Sequence, residues 1–349
     1  VLYFLKRLLV MLPTLFGVVT LTFIITQFVP GGPIEHVLNE AQGTDTGAEA
    51  SGGGGLNYSA GGRVDDSQLQ QLREMYGFDK PVLERYWLMI SRFARFDLGE
   101  SYFTHESVWS LIKSKLPVSL SLGLWTFMLT YLISVPLGIA KAVRAGTRFD
   151  LVSSVLVMTG YAIPGFVLGV LLLVLFGGGT YWTVFPLRGL TSENWEQLSA
   201  TGKVLDYLWH IALPVTATVV SQFAVKTMLT KHAVLEQIRR QYVLTARAKG
   251  LSERSVLWRH VFRNALLPLV TGFPATFIAA FFTGSLLIET LFSLDGLGLL
   301  SFESVRRRDY PVVIGTLFLF TLLGLFTKLI GDLAYVLADP RIKFDSHRS

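Results

Sequence analysis

The sequence predicts an all-α, polytopic membrane protein with six transmembrane helices and a small helical insert outside the membrane. Three observations predict it. Of the 349 residues, 51% are hydrophobic and only 16% are charged, with a mean hydropathy of +0.48. Apolar runs long enough to cross about 30 Å of hydrocarbon recur along the chain. Lys and Arg collect in alternate connecting segments, which is the asymmetry that orients membrane chains with their basic loops in the cytoplasm.

Lys6 and Arg7 precede the first span, Leu8–Val29, and hold the N-terminus in the cytoplasm. That run is longer than a signal-peptide core. Pro30-Gly31-Gly32-Pro33 follows it in place of a small-x-small cleavage pattern, so it reads as a retained span. Residues 30–115 form a long external segment. Its stretch Gly43–Gly62, with four glycines at 52–55, has too little apolar surface to offset ordering. Order is expected again from Asp66, which can cap a helix Ser67–Tyr76 closed by Gly77. Pro81 opens a second helix to about Phe96, with Leu83, Tyr86, Trp87, Ile90 and Phe93 on one face. A third short helix, Ser107–Lys115, leads into Leu116-Pro117.

Span two is Val118–Ile139, and the inside loop Lys141–Asp150 carries Lys141, Arg144 and Arg148. Span three is Leu151–Phe176. Pro164 lies in its middle and removes a backbone donor, so a kink is expected there. The kink is either a packing feature or a hinge lining a pathway, since broken helices in membranes are tolerated where protein or a water-filled cavity surrounds them. Gly177–His210 lies outside, span four is Ile211–Leu229, and a cytoplasmic loop covers 230–265. Span five is Leu266–Ile288, Glu289–Pro311 is external, and span six is Val312–Leu333. The division is therefore 1–29, 30–115, 116–338 and a cytoplasmic tail 339–349.

The most cationic stretch is Gln241–Pro268. Ala246, Arg247, Ala248 and Lys249 favour helix, Gly250 is placed to close it in the left-handed conformation, and Ser252 can cap the next. The product is a helical elbow. It is either an electrostatic anchor or a docking surface. Tyr242, Val243, Leu244, Leu251, Val256, Leu257, Trp258 and Phe262 between the charges favour the dock, because an anchor does not need them.

Chemistry of other kinds is missing from the chain. There is no cysteine, no phosphate-binding GxxxxGK[ST] loop, and His105-Glu106 lacks the second histidine of a zinc motif. No nucleophile elbow surrounds a serine. The net charge of +6 and pI near 9.4 follow from membrane orientation, so nucleic acid is not needed to explain them. Arg306-Arg307-Arg308 is the one basic cluster on the outside. Intramembrane polar residues are Gln27, Gln222 and Lys226, with Lys328 and Asp332 in span six. Lys226 is expected to snorkel to a membrane end and Lys328 to pair with Asp332 one turn away. Candidate pathway residues are Gln27, Tyr161, Pro164, Gln222 and Phe223. Buried acid–base chains of the kind proton-coupled carriers use are sparse, which suggests that another subunit supplies the energy.

The run TARAKG at 245–250, followed by HVFRNALLP at 260–268, resembles the coupling-loop signature of ABC importer permeases. Leu244 and Thr245 stand where that signature has Glu and its first Ala, as is usual in the oligopeptide/dipeptide branch. YGFDKP at 76–81, FDLGES at 96–101, LPVSLSLG at 116–123, FPLRGL at 185–190, FFTGSLLIE at 281–289 and FSLDGLGLL at 292–300 resemble the same branch, as do Lys6-Arg7-Leu8-Leu9 and Asp339-Pro340-Arg341. The resemblance implies a type I-like permease fold in a bacterial inner membrane with a periplasmic insert. It implies a second permease chain, a cytosolic ABC ATPase that carries the ATP and Mg, and a periplasmic binding protein that delivers short peptides. In one Gram-negative branch the cargo includes oligopeptides and microcin C-like peptide–nucleotide antibiotics. The ATPase-coupling residues would be Tyr242, Thr245, Ala246, Arg247, Ala248, Lys249, Gly250 and Leu251. The chain itself would bind no cofactor and catalyse no reaction. A stand-alone channel or secondary carrier is the alternative from residue chemistry, and a membrane scaffold fits the proline-broken spans poorly.

Overall fold

The computed structural model describes residues 2–28, 79–177, 181–282 and 286–338. The helix expected at Ser67–Tyr76, the glycine-rich stretch and the tail 339–349 lie outside them. Among the described residues there is no extended strand, only a single bridge between Glu100 and Ser107.

Helix α1 is Leu2–Phe28, α2 is Val82–Phe93 and α3 is Val108–Val143. Helix α2 begins directly after Pro81 and ends three residues before Phe96, which takes a positive φ of 59° and turns the chain. The short helix expected at 107–115 and span two are one helix, α3, of 36 residues that runs through Pro117 and Pro136 without a break. Each proline costs it one backbone bond, and the remaining turns carry the axis on.

Span three is divided more sharply than a kink. Helix α4, Arg148–Ala162, and α5, Gly165–Phe176, meet at 91°. The ring of Pro164 drives Ile163 out of helical space into an extended conformation, φ −86° and ψ 118°. With 15 and 12 residues the two pieces are about 22 and 18 Å long, so neither crosses a bilayer alone.

Helix α6, Ala200–Ile238, has 39 residues and is about 58 Å long. It begins eleven residues before the expected span four, because the Ser199 hydroxyl caps it by accepting from Gly202 N–H. Helix α7 is Gln241–Ala248, and α8 is the helical stretch 253–265, whose turns Val256–Phe262 have π geometry. Then come α9, Leu267–Phe282; α10, Leu286–Leu291; α11, Leu297–Arg307; and α12, Tyr310–Ala338. Among the described residues four helices are long and apolar enough to cross a membrane, and the bent α4–α5 pair makes a fifth if it is one span. The remaining expected span falls on α9 and α10, either side of residues 283–285.

The chain forms two compact units. In the larger, drawn mainly from Lys115–Leu300, α6 is the spine. Toward its N-terminal half, Ile211, Leu213, Val215, Ala217 and Val219 pack with Leu122, Ile288, Phe292 and Leu294. Near its C-terminal end, Val234 packs with Ile139, Ala142, Val243, Ala246, Val256, Val261 and Ala265. Small residues let the helices approach: a Cβ on Gly165 of α5 would lie 3.2 Å from the Ala217 carbonyl oxygen of α6. The fully buried Glu289 staples α10 to the start of α11, accepting from Leu299 N–H at 2.8 Å and Ser119 Oγ at 3.3 Å. Asp332 pairs with Arg7 at 3.2 Å, where the sequence pointed to Lys328.

In the smaller unit α2 lies against α1. The Tyr86 ring is 5.4 Å from that of Phe23, and its hydroxyl is 2.7 Å from the Thr20 hydroxyl. Phe93 meets Phe318 edge-on at 5.1 Å. The turn at 99–107 is tied to the α11–α12 corner by Asp309, which accepts from the Ser101 hydroxyl and from Tyr102 N–H at 3.1 Å. Burial raises the Asp309 carboxyl above the ordinary carboxylate range, and those two donors work against the shift.

The closest helix approach tests the spine. A Cβ on Gly138 of α3 would lie 2.8 Å from the Thr227 carbonyl oxygen of α6, whereas one on Gly17 meets nothing within 4 Å. Gly138→Val should therefore destabilise the larger unit by about 1–3 kcal/mol through overpacking. Gly17→Ala should be neutral or stabilising by up to about 1 kcal/mol. Apparent melting temperature of the purified variants in mild detergent reads both.

Candidate functional site

The elbow expected from local chemistry is present. Helix α7 ends at Ala248, Gly250 takes φ +78°, and the Ser252 hydroxyl accepts from Ser255 N–H to start the next helix. Only a residue without a Cβ takes that φ at no steric cost. Arg247 closes the turn on itself: its Nε and Nη2 donate to the two oxygens of Glu253 at 2.8 and 3.0 Å. Arg247 in turn holds the Glu253 carboxyl below its ordinary range. A lowered carboxylate pKa means the pair's contribution is complete above the ordinary Glu range and is lost only as pH falls through the lowered value. Both members of the pair are therefore charged at neutral pH.

The elbow has an inner and an outer face. Val243 and Ala246 are buried against Ile139 and Ala142 of α3 and Val234 of α6, with Val256 and Val261 of α8 completing the cluster. Tyr242 is half-buried and its hydroxyl donates to Gln237 Oε1 at 2.8 Å, so it holds α7 against the end of α6. Thr245, Arg247, Ala248, Lys249, Gly250 and Leu251 are exposed. Of the eight residues expected for coupling, six thus face outward, and Tyr242 and Ala246 fix the elbow in place. Three apolar side chains stand out among the outward charges: Leu244 at 55% exposure, Trp258 at 50% and Leu251 at 40%.

Beneath the elbow is a charge cluster that sequence reasoning missed. Asp150, in the first turn of α4, receives Lys231 of α6 at 2.7 and 2.8 Å and Lys141 of α3 at 3.2 Å. Lys141 is fully buried and also donates to the Asp150 carbonyl and to the hydroxyls of Ser153 and Ser154 at 3.0, 2.8 and 2.7 Å. Gly146 N–H adds a further donor to the carboxylate at 3.2 Å. One carboxylate therefore pins three helices. The available signal was a single acid at the end of an otherwise basic inside loop.

The candidate pathway residues are spread out. Tyr161 and Pro164 flank the α4–α5 break, which lies along α6 near Ala217–Phe223: a Cβ on Gly160 would meet Val220 and Phe223, and one on Gly165 would meet Ser221. Tyr161, Pro164 and Gln222 are exposed and Phe223 is half-buried. Gln27 belongs to the smaller unit, where its Oε1 accepts from Arg85 at 2.8 Å. Lys226 does not reach for a membrane end as expected. Its ammonium donates to Thr276 Oγ1 of α9 at 2.9 Å and lies 5.6 Å from the Tyr131 ring of α3.

Comparison with known proteins bears on this arrangement. A family model described as "Binding-protein-dependent transport system inner membrane component" matches residues 134–344. The chain is 50% identical to the inner membrane ABC transporter permease protein YejB of Escherichia coli O157:H7, over 98% of this chain and 99% of the relative. It is also 50% identical to the peptidoglycan transport system permease protein YejB of Agrobacterium fabrum, over 98% of each. The di/tripeptide transport system permease protein DppB of Pseudomonas aeruginosa is 31% identical over 97% of each.

The clamp yields a stability test. Asp150→Asn leaves Lys141 fully buried without its counter-charge, which should cost about 3–5 kcal/mol. Lys231→Met should cost less, because the Lys141–Asp150 pair survives. Thermal aggregation midpoints in detergent should fall in the order wild type, Lys231→Met, Asp150→Asn, and the reverse order for the two variants would contradict the account.

Proposed function

Because the chain belongs to the family of binding-protein-dependent transport system inner membrane components, and is an inner-membrane ABC transporter permease of the peptide type, we propose that it forms half of the translocation pathway of an ATP-driven importer of short peptides, with the elbow at 241–251 as the dock for a separate ATPase. It is a transporter component and not an enzyme. ATPase and substrate-binding partners are implied by the family. The finer assembly is our reading: a second, homologous permease chain completes the pathway, a cytosolic ABC ATPase carries ATP and Mg, and a periplasmic binding protein delivers the cargo. Cargo ranges over oligopeptides and, on the same chemistry, microcin C-like peptide–nucleotides. Peptidoglycan-derived peptides are a further class, after the Agrobacterium fabrum relative. Both termini lie in the cytoplasm on this reading, which puts the basic elbow on the ATPase side.

The observation that carries the proposal is the two-faced elbow. Its inner face is seated on α3 and α6, and its outer face offers Leu244, Leu251 and Trp258 among cations. An ATPase that closes on ATP would push the elbow as one piece, and its seat would pass that displacement to the ends of α3, α4 and α6. A stand-alone channel or carrier needs neither the outward apolar side chains nor a positive-φ turn held by an ion pair.

Purification of the tagged chain from its own membrane in mild detergent should bring a second permease and an ABC ATPase with it; the chain arriving alone and monodisperse would favour the carrier. In the purified complex, Gly250→Pro cannot adopt φ +78°, and Arg247→Glu sets two carboxylates against each other. Either should lower peptide carried per ATP hydrolysed by about tenfold while insertion is retained. Wild-type stoichiometry in both would remove the elbow from coupling.

A further inference from the structure

Lys226 is a cation in the membrane-spanning part of α6, and among the described residues no carboxylate lies within ion-pair distance of it. The other lysines described as buried or half-buried in the larger unit each have one: Lys115 has Asp295, Lys203 has Glu196, and Lys141 and Lys231 share Asp150. Side chains on a helix lean toward its N-terminus, so Lys226 is directed back along α6 and away from the elbow end. Its target, Thr276, lies nine residues into α9, about 14 Å from the start of that helix. The ammonium is therefore held at depth. A charge there is costly unless something compensates it.

What surrounds it is only partly compensating. Thr276 spends its own proton on the Gly272 carbonyl at 2.9 Å, and its oxygen accepts one of the three ammonium protons. The Tyr131 ring contributes its face. Beyond Tyr131 are three phenylalanines: Phe127 is 4.8 Å from Tyr131 and from Phe273, and 5.1 Å from Phe277. Phe273 is exposed, and Lys226 itself is only half-buried. Gln222, one turn away on the same face of α6, is exposed as well. A cation with spare donors, a neighbouring amide and an aromatic wall share one side of the α3–α6–α9 group. That set matches a carboxylate joined to an apolar side chain.

We propose that Lys226 is the point at which the pathway receives the terminal carboxylate of a peptide, with the rings of Tyr131, Phe273 and Phe277, backed by the buried Phe127, receiving an adjacent apolar side chain. This deepens the peptide-importer reading above and depends on it. The site then distinguishes a peptide acid from the corresponding amide inside the membrane subunit, in addition to whatever the binding protein selects.

The test uses the complete transporter in vesicles of zwitterionic lipid, with its binding protein, and two peptides of one apolar sequence that differ only in a free-acid or amidated C-terminus. The binding protein's preference is common to every variant, so the change in the acid-to-amide uptake ratio belongs to the permease. Lys226→Met should lower that ratio by about tenfold or more, the worth of one hydrogen bond to a charged group, and Lys226→Arg should hold it near wild type. Should Lys226→Met fail to assemble, Lys226→Gln carries the same comparison. An unchanged ratio, or an equal fall for both peptides, overturns the assignment and leaves the importer standing. A lysine effect that appears only when anionic lipid is added, whichever terminus the peptide has, also overturns it. Wild-type vesicles that carry neither peptide on ATP overturn the peptide reading and the site together.

Discussion

The carboxylate of Asp150 between Lys231 and Lys141 is the constraint on which the elbow end of the larger unit depends. Three helices meet there, and two of them bring a lysine. Two like charges drawn into a packed region repel each other unless a counter-ion lies between them. With Asp150 in place the lysines become the means of holding α3 and α6 to α4. The apolar seat of the elbow is built on the same ends, since Ile139 and Ala142 flank Lys141 and Val234 lies three residues beyond Lys231. Packing and charge thus act on one set of residues: the cluster excludes water from the lysines, and the paired lysines hold the surfaces that the cluster needs.

Above that level the architecture is governed by where backbone can come close to α6. Glycines 138, 160 and 165 are the points of approach, and the carbonyls or small side chains of Thr227, Val220, Ala217 and Ser221 are what they meet. Van der Waals packing over short distances is a main source of helix association in lipid, where no hydrophobic force separates one apolar helix from another. The fully buried Glu289 extends the same economy to polar groups: it accepts from backbone N–H at the start of α11, so the corner at 289–299 is held by one carboxylate.

What could be read from the sequence divides along a physical line. The elbow was legible because helix propensity, a left-handed glycine and a serine cap are local chemistry, each acting within a few residues. The break at Pro164 was legible as an event and not as an angle: proline fixes the conformation of Ile163, while the 91° turn depends on where α5 settles against α6 through Gly165. Helix ends were misplaced where hydropathy was made to stand for structure. Helices α3 and α6 continue past the apolar windows, because caps and packing, not the lipid boundary, end a helix. The clamp was invisible because Asp150 and Lys231 are 81 residues apart. Lys226 was misread because its position along the chain suggests a membrane end, whereas the lean of side chains along a helix sends the ammonium the other way. Gln27 was singled out as a polar residue inside a span, and its bond to Arg85 of α2 could not be read from the sequence because the two lie 58 residues apart.

The length of α6 has a mechanical meaning. At about 58 Å it exceeds the roughly 30 Å hydrocarbon thickness by more than a third of its own length, so a part of it must project into water. It contains one proline, Pro214, and its turns continue on both sides of it. A tilt of about 10° about its midpoint would carry each tip sideways by roughly 5 Å, close to the rise of one helical turn. Such a rod is a lever, and the helix spacing set by the glycines gives it a fulcrum.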